Sequence, residues 1–179
     1  GTKMFDINMD ITARVVAEKE AERLSLTASL TGLSNRSALS QYLAREIPRN
    51  IRKKTRLFCI YIDLDKIKPI NDTYGHKAGD EVLIAVAKRL YDTVRQSDCA
   101  ARIGGDEFVV LLTDVDNDDD ATHLVSRLNF EITSPIYTSV GEITVGASMG
   151  VAQCPAEGIT LDELLNAADN KMYEQKRAR

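Results

Sequence analysis

Carboxylates placed at the ends of two apolar runs are the residues in this sequence best suited to chemistry. The run Leu57 to Ile62 ends in Asp63-Leu64-Asp65, and Gly104-Gly105-Asp106-Glu107 leads into the run Phe108 to Leu112. Side chains alternate along a β-strand, so Asp63 and Asp65 project from one face. If the two strands are neighbours, Asp63 and Asp106 can share a divalent cation. Hard cations such as magnesium bind through one or two carboxylates plus substrate phosphates, and paired metals stabilise both oxygens of a displacement at phosphorus. Gly104 and Gly105 can take the positive φ of a tight hairpin turn and let a large ligand lie close to the backbone. Read without function, the stretch is a hairpin turn with solvated acids.

The elements that must position these groups follow from hydrophobic periodicity. Leu57 to Leu64 is almost continuously apolar, which predicts a central strand buried on both faces. The hairpin runs from Cys99 to Ile103 and from Glu107 to Leu112, and Ile143, Val145, Ala147, Met149 and Val151 alternate with small polar residues as a further strand. Leu39, Leu43 and Ile47 mark a helix from Ser34 or Asn35 that should stop at Pro48, followed by a basic solvated loop from Arg49 to Arg56. Asp65 to Tyr74 reads as a short helix or turn with Asp65 as its cap. Val82, Val86 and Leu90 give an amphipathic helix from about Gly79 to Val94. Ala121, Leu124, Val125, Leu128 and Ile132 mark another helix, with His123 at its surface or boundary, and Leu161, Leu164, Leu165, Ala168 and Met172 mark the last. The acidic run Asp114 to Asp120 lacks the glycine at the sixth position and the glutamate at the twelfth of a calcium-binding loop, so it is a loop and helix cap. This order predicts an antiparallel-rich α/β layer with helices on its faces.

At 179 residues, 44% of them hydrophobic, the chain can bury one real core. A net charge of −4 and a pI near 5.3, with scattered basic residues, argue against a nucleic-acid-binding face. An anionic nucleotide would therefore need metal ions and a few placed lysines. Cys59, Cys99 and Cys154 form no CxxC pair and fit a reducing cytosol. No apolar run reaches the ~20 residues of a membrane span, and no signal peptide opens the chain. The missing initial Met suggests a processed or excised fragment.

Gly104 to Phe108 is the GGDEF motif, and from about Ser29 onward the chain resembles the GGDEF-type diguanylate cyclases. Four further blocks fall in that family's order and spacing: Leu30-Thr31-Gly32-Leu33-Ser34-Asn35-Arg36, Asp63 to Asp72, Gly75-His76-Lys77-Ala78-Gly79-Asp80, and Ala167-Ala168-Asp169 with Tyr173 and Lys176. The resemblance implies an α/β (α+β) fold, palm-like and ferredoxin-related, with a central sheet of about five strands, at residues 29–179. Residues 1–28 then form an N-terminal linker helix. Within it, Phe5 to Thr12 alternates like the end of a strand, Asp10 or Thr12 can cap a charged helix, and Ala17, Ala21, Leu24 and Ala28 form a weak heptad seam. A solvated tether fits those small residues equally well. The segment also looks like the linker between a PAS sensor and a GGDEF domain, which implies an upstream sensor absent from this chain.

The resemblance also assigns roles. Asp63 and Asp106, with the carbonyl of Leu64, would hold magnesium or manganese, two ions per site. Asp106 would help activate a ribose 3′-hydroxyl, since metal coordination lowers the pKa of a bound oxygen, and Glu107 would reach a metal through water or orient the nucleotide. Guanine presents adjacent N–H donors, which a buried carboxylate accepts together, so Asp80 is the reader, with Asn71 beside it and His76 in the same block. Asn71-Asp72 as a turn and Asp80 as a helix cap are the alternatives. Lys68 and Lys176 would neutralise a triphosphate. Leu30 to Arg36 fixes a turn near the phosphates. Arg95-Gln96-Ser97-Asp98, with five residues between it and Gly104, matches the RxxD element that binds product inhibitorily in many members. The alternative there is a helix-terminal arginine followed by a cap.

The implied activity is condensation of two GTP to cyclic di-GMP and two pyrophosphates, in an antiparallel homodimer in the bacterial cytoplasm, without nucleic acid or membrane as partner. Three positions depart from the pattern. Ala28 stands where an aspartate is usual, Ile67 where a phenylalanine is usual, and the chain stops at Arg179, short of the usual Gly-Arg-Asn ending, so one phosphate-binding arginine is unmatched. A non-catalytic module binding GTP or cyclic di-GMP is the rival from another class. A cyclase with a one-nucleotide product is a second enzymatic rival, disfavoured by Asn71 with Asp80.

Overall fold

The computed structural model describes residues 12–17 and 26–178. Residues 12–17 are helical and exposed. The strand-like stretch from Phe5, the cap at Asp10 and most of the heptad seam lie outside the described residues. The main elements are α1 (Arg36–Lys53), β1 (Arg56–Asp65), α2 (Ile67–Tyr74), α3 (His76–Thr93), β2 (Cys99–Arg102), β3 (Glu107–Val115), α4 (Asp118–Thr133), β4 (Ile136–Thr138), β5 (Gly141–Ile143), β6 (Gly146–Cys154) and α5 (Leu161–Ala178).

Four strands form one antiparallel sheet in the order β2-β3-β1-β6, and β4 pairs with β5 as a separate two-stranded ribbon. The main sheet thus has four strands where about five were expected. β1 is central, as its unbroken apolar run required, and its alternate residues enter two cores. Phe58, Ile60, Ile62 and Leu64 face α2, α3 and α4, while Leu57, Cys59 and Tyr61 face α1 and α5. Burying both faces of a ten-residue strand removes it from water on every side that its neighbours do not already cover. The three cysteines are buried free thiols within this packing. Among the described residues no helix is long and apolar enough to cross a membrane.

Pro48 does not stop α1. The helix passes through it to Lys53, so the expected basic loop is its last turn and a short connection. A proline inside a helix removes one backbone bond, and the turn beyond it is held by polar contacts, one within the helix and the others long-range. Asn50 donates to Thr113 Oγ1 at 2.7 Å and accepts from the Asp114 N–H at 2.8 Å, while Arg49 pairs with Glu46 at 2.7 Å and Asp114 at 2.5 Å. α3 begins at His76, a turn earlier than its apolar pattern, because α2 and α3 meet directly at Gly75 with φ 91. α4 is capped by Asn117, whose side chain accepts from the Asp119 N–H at 2.9 Å.

Candidate active site

The β1–β3 register aligns Asp63 with Glu107, and the Leu64 N–H donates to the Asp106 carbonyl at 3.0 Å. The tip of the β2–β3 hairpin is therefore fastened to the end of β1, which brings the two carboxylate clusters to one edge of the sheet. Asp63 and Asp65 share the face covered by α5. From that helix Lys176 reaches in, its Nζ 2.8 Å from Asp63 and 3.9 Å from Asp65. Burial, and next the neighbouring Asp63, push the Asp106 carboxyl above the ordinary carboxylate range. The hydrogen bond to Asp63 holds the Lys176 ammonium above its usual range. An acid raised by its neighbour, beside an acid already paired with an ammonium, is a donor set short of positive charge.

That donor set fits a hard divalent cation in part. Among the described residues no three His, Cys, Asp or Glu side chains are grouped to cage a metal by themselves. Two carboxylates and one carbonyl leave the other positions to phosphate and water, which is how magnesium is usually held beside nucleotides.

Tyr61 is the residue that sequence reasoning missed. It lies two positions before Asp63 on the same face of β1 and donates its hydroxyl to Glu107, and burial followed by that bond raises the phenol well above its usual range. Strand parity alone carried the signal. Arg102 donates Nε and Nη2 to the Gly105 carbonyl at 3.2 and 2.9 Å, which fixes the hairpin tip. Two expectations fail here. Neither Gly104 nor Gly105 takes a positive φ, because the tip is an open bend of three residues rather than a two-residue turn. Asp65 does not cap α2: Lys66 holds the cap position with φ 67, and Asp65 instead accepts from Ser148 Oγ at 3.2 Å.

A second group sits on α2 and α3. Gly79 faces the side chain of Asn71 so closely that a Cβ there would collide with its Oδ1, which places Asn71 beside the backbone that carries Asp80. Asp80 is exposed, not buried as expected, because Ala78 and Gly79 take the inward positions of that turn. His76 opens α3 on the exposed side, and Lys68 projects from α2 between the buried Ile67 and Ile70. Ile67, in the phenylalanine position, fills the core.

Arg95 and Asp98 lie at the other end of β3, about 20 Å along the strand from Asp106 at 3.3 Å per residue. The arginine clasps the acid through Nε and Nη2, both at 3.0 Å, and also donates to the Thr113 carbonyl. Asp98 further accepts from the Thr113 N–H at 3.2 Å. A cavity of about 700 Å³ opens beside the pair, lined by Tyr42, Arg45, Tyr91 and Ser97 among others. The Leu30 to Arg36 segment folds as a turn, with the Ala28 N–H bonded to the Leu33 carbonyl at 2.7 Å and the Arg102 N–H to the Ser34 carbonyl at 2.9 Å. Ala28 lines a cavity of about 280 Å³ with Arg102 and Gly104.

A family model described as "Diguanylate cyclase, GGDEF domain" matches residues 25–179. The chain belongs to the GGDEF family. Among its relatives, the bifunctional diguanylate cyclase/cyclic di-GMP phosphodiesterase MucR of Pseudomonas aeruginosa is 41% identical over 165 residues, which cover 92% of this chain and 24% of that protein. The chain thus spans about a quarter of that relative's length. A sensory box/GGDEF family protein of Caulobacter crescentus superposes with a TM-score of 0.82 at 36% identity, over 87% of this chain and all of that one. The coiled coil and GGDEF domain of DgcB from the same species, solved in complex with c-di-GMP, gives a TM-score of 0.76 at 25% identity over 99% of this chain and 94% of that one. The four-stranded sheet and its helices are therefore those of GGDEF domains.

Proposed function

We propose that this GGDEF domain condenses two GTP molecules into cyclic di-GMP with release of two pyrophosphates. The observation that carries the reading is the Leu64–Asp106 backbone bond, which brings acids 43 positions apart in sequence to a single sheet edge beside α2 and α3. In each half-reaction a ribose 3′-oxygen bonds to the α-phosphorus of the second GTP and the bond from that phosphorus to the pyrophosphate oxygen breaks. Asp106 helps activate that hydroxyl, whose proton passes to water. Tyr61 steers Glu107, and Lys176 moves from the acids toward the phosphates as charge builds there. Lys68 meets the triphosphate from α2. Asp80 accepts the paired N–H groups of guanine, with Asn71 alongside and His76 at the rim.

Magnesium or manganese held by Asp63, Asp106 and the Leu64 carbonyl would neutralise phosphate charge and polarise the phosphorus centre. Each domain holds one GTP and the product contains two nucleotides, so catalysis takes place between two copies of the chain placed antiparallel. Residues 1–28 serve as the linker from a sensor. Arg95 and Asp98 form an inhibitory product site opening on the adjoining 700 Å³ cavity, within the size range of small-molecule pockets. Arginine pairs bidentately with phosphate or a guanine edge, and the ligand takes over N–H groups now given to Asp98.

Ala28 favours a second reading, a module that binds GTP or cyclic di-GMP without turnover, since it leaves a methyl group beside Gly104 where the family carries a carboxylate. Purified chain incubated with GTP and magnesium, followed by mass identification of products, decides between them. Cyclic di-GMP from the wild type and none from Asp106→Ala is expected. Unchanged GTP in both would leave the binding module, and equal product in both would remove Asp106 from the mechanism.

A further inference from the structure

The β4–β5 ribbon is fastened to α3 at two points, one of them next to the candidate guanine reader. Near the end of α3, Arg89 donates to the carbonyls of Glu131 at 2.8 Å, Ser134 at 2.7 Å and Pro135 at 2.6 Å. One guanidinium thus satisfies carbonyls that the end of α4 leaves unpaired and holds the chain entering β4. At the start of α3, Glu81 accepts both donors of Ser139: the backbone N–H at 2.7 Å on Oε2 and the hydroxyl at 2.5 Å on Oε1. These bonds draw the Glu81 carboxyl below its usual range. The ribbon presents Ser139 in a defined shape, since Thr138 Oγ1 donates to the Gly141 carbonyl at 2.7 Å across the same turn.

Glu81 directly follows Asp80, and Gly79 directly precedes it against Asn71. The turn carrying Asp80 is therefore gripped from α2 on one side and from the ribbon on the other. It has no side-chain cap of its own at Gly75. We infer that the Glu81–Ser139 clamp sets where the Asp80 carboxylate stands, so that Glu81 is a positioning residue for purine selectivity and the ribbon is part of the selectivity device. The inference rests on the reading of Asp80 proposed above. A carboxylate that takes two adjacent N–H donors tolerates little displacement, because hydrogen bonds weaken steeply as distance and angle depart from their optimum. Loss of the clamp then costs most for a purine with both donors and least for hypoxanthine, which lacks the exocyclic amine.

The test measures equilibrium binding of the α,β-methylene analogues of GTP and ITP to the whole chain with magnesium, the P–C linkage preventing turnover. Wild type favours the guanine analogue by about tenfold or more. Glu81→Ala lowers that ratio about three- to tenfold, Glu81→Gln lowers it less, and Ser139→Thr, which keeps both donors to an intact Glu81, leaves it at the wild-type value. A merely structural contact would weaken both nucleotides equally and leave the ratio fixed, and that result overturns the inference. Should Glu81→Ala fail to fold, Ser139→Ala carries the same comparison. Asp80→Asn separates the two levels. If it collapses the ratio while the clamp variants do not, only the clamp falls; if it leaves the ratio intact, the reading of Asp80 falls and the clamp with it.

Discussion

Gly150 seats α5 on the sheet, and adding one methyl group there should disturb both stability and the site. Gly150 pairs with Tyr61 in the β1–β6 ladder, and a Cβ on it would stand 2.7 Å from the Met172 nitrogen and 2.9 Å from the Ala168 carbonyl carbon, closer still to the carbonyl oxygen. Ordinary contact begins at 3.4 Å, so the Met172 nitrogen alone requires α5 to lift by 0.7 Å, and the nearer Ala168 carbonyl oxygen requires more. Both obstacles are backbone, which cannot rotate away. Overpacking costs about 1–3 kcal/mol, and a backbone clash belongs at the upper end. For a domain of this size about 3 kcal/mol lowers Tm by ~6–12 °C. Lys176 lies one helical turn beyond Met172, so the same lift stretches its 2.8 Å contact with Asp63 past the limit of a hydrogen bond. Thermal and urea unfolding of Gly150→Ala, together with its KM for GTP, read both effects. A variant that melts within ~1 °C of wild type with an unchanged KM would refute the seating of α5 and its delivery of Lys176.

Two other outcomes follow from charge. The Asp106 carboxyl is raised above its ordinary 3.8, chiefly by burial, so between that value and its folded pKa the native state binds more proton there than the unfolded chain does. Its contribution to stability is full below that value and is lost as pH rises through the folded pKa. In metal-free buffer Asp106→Asn should therefore gain on wild type in Tm as pH rises from about 4 toward 7, with the two curves converging in acid; a variant less stable at neutral pH would contradict the placement of Asp106 beside Asp63. Arg95→Ala should raise the cyclic di-GMP concentration needed for half-inhibition and, because Asp98 keeps only backbone partners, lose about 1–3 kcal/mol in urea unfolding. Unchanged inhibition would discard Arg95 as a product contact.

The sheet was legible because β1 and β3 are apolar runs that end in charge, and a strand buried on both faces has no other composition available to it. Their pairing was a condition of the sequence reading, and the β1–β3 register meets it, bringing Asp63 and Asp106 to one end of the sheet. Pro48 misled because the contacts that carry α1 past it, from Arg49 and Asn50 to Thr113 and Asp114, join residues more than sixty positions apart. The β4–β5 ribbon was missed for a different reason: its strands have three residues each, and Ile143, which ends β5, continues the alternation of β6, so the break at residues 144–145 left no mark in the pattern. Asp80 could be placed on α3 from spacing, but not its exposure, which depends on Asn71 packing over Gly79. Tyr61 was within reach, since it shares a strand face with the acids already chosen. It is both core and site.

The central claim is that Asp63 and Asp106 meet on one cation beside a nucleotide. Manganese titration followed by electron paramagnetic resonance, with the α,β-methylene analogue of GTP present, addresses it directly. Wild type should bind manganese, and Asp63→Asn and Asp106→Asn should each weaken binding by about tenfold or more, with the double variant little worse than either single one because the two carboxylates serve the same ion. Manganese affinity untouched by either substitution, or losses that simply add, would contradict the shared site.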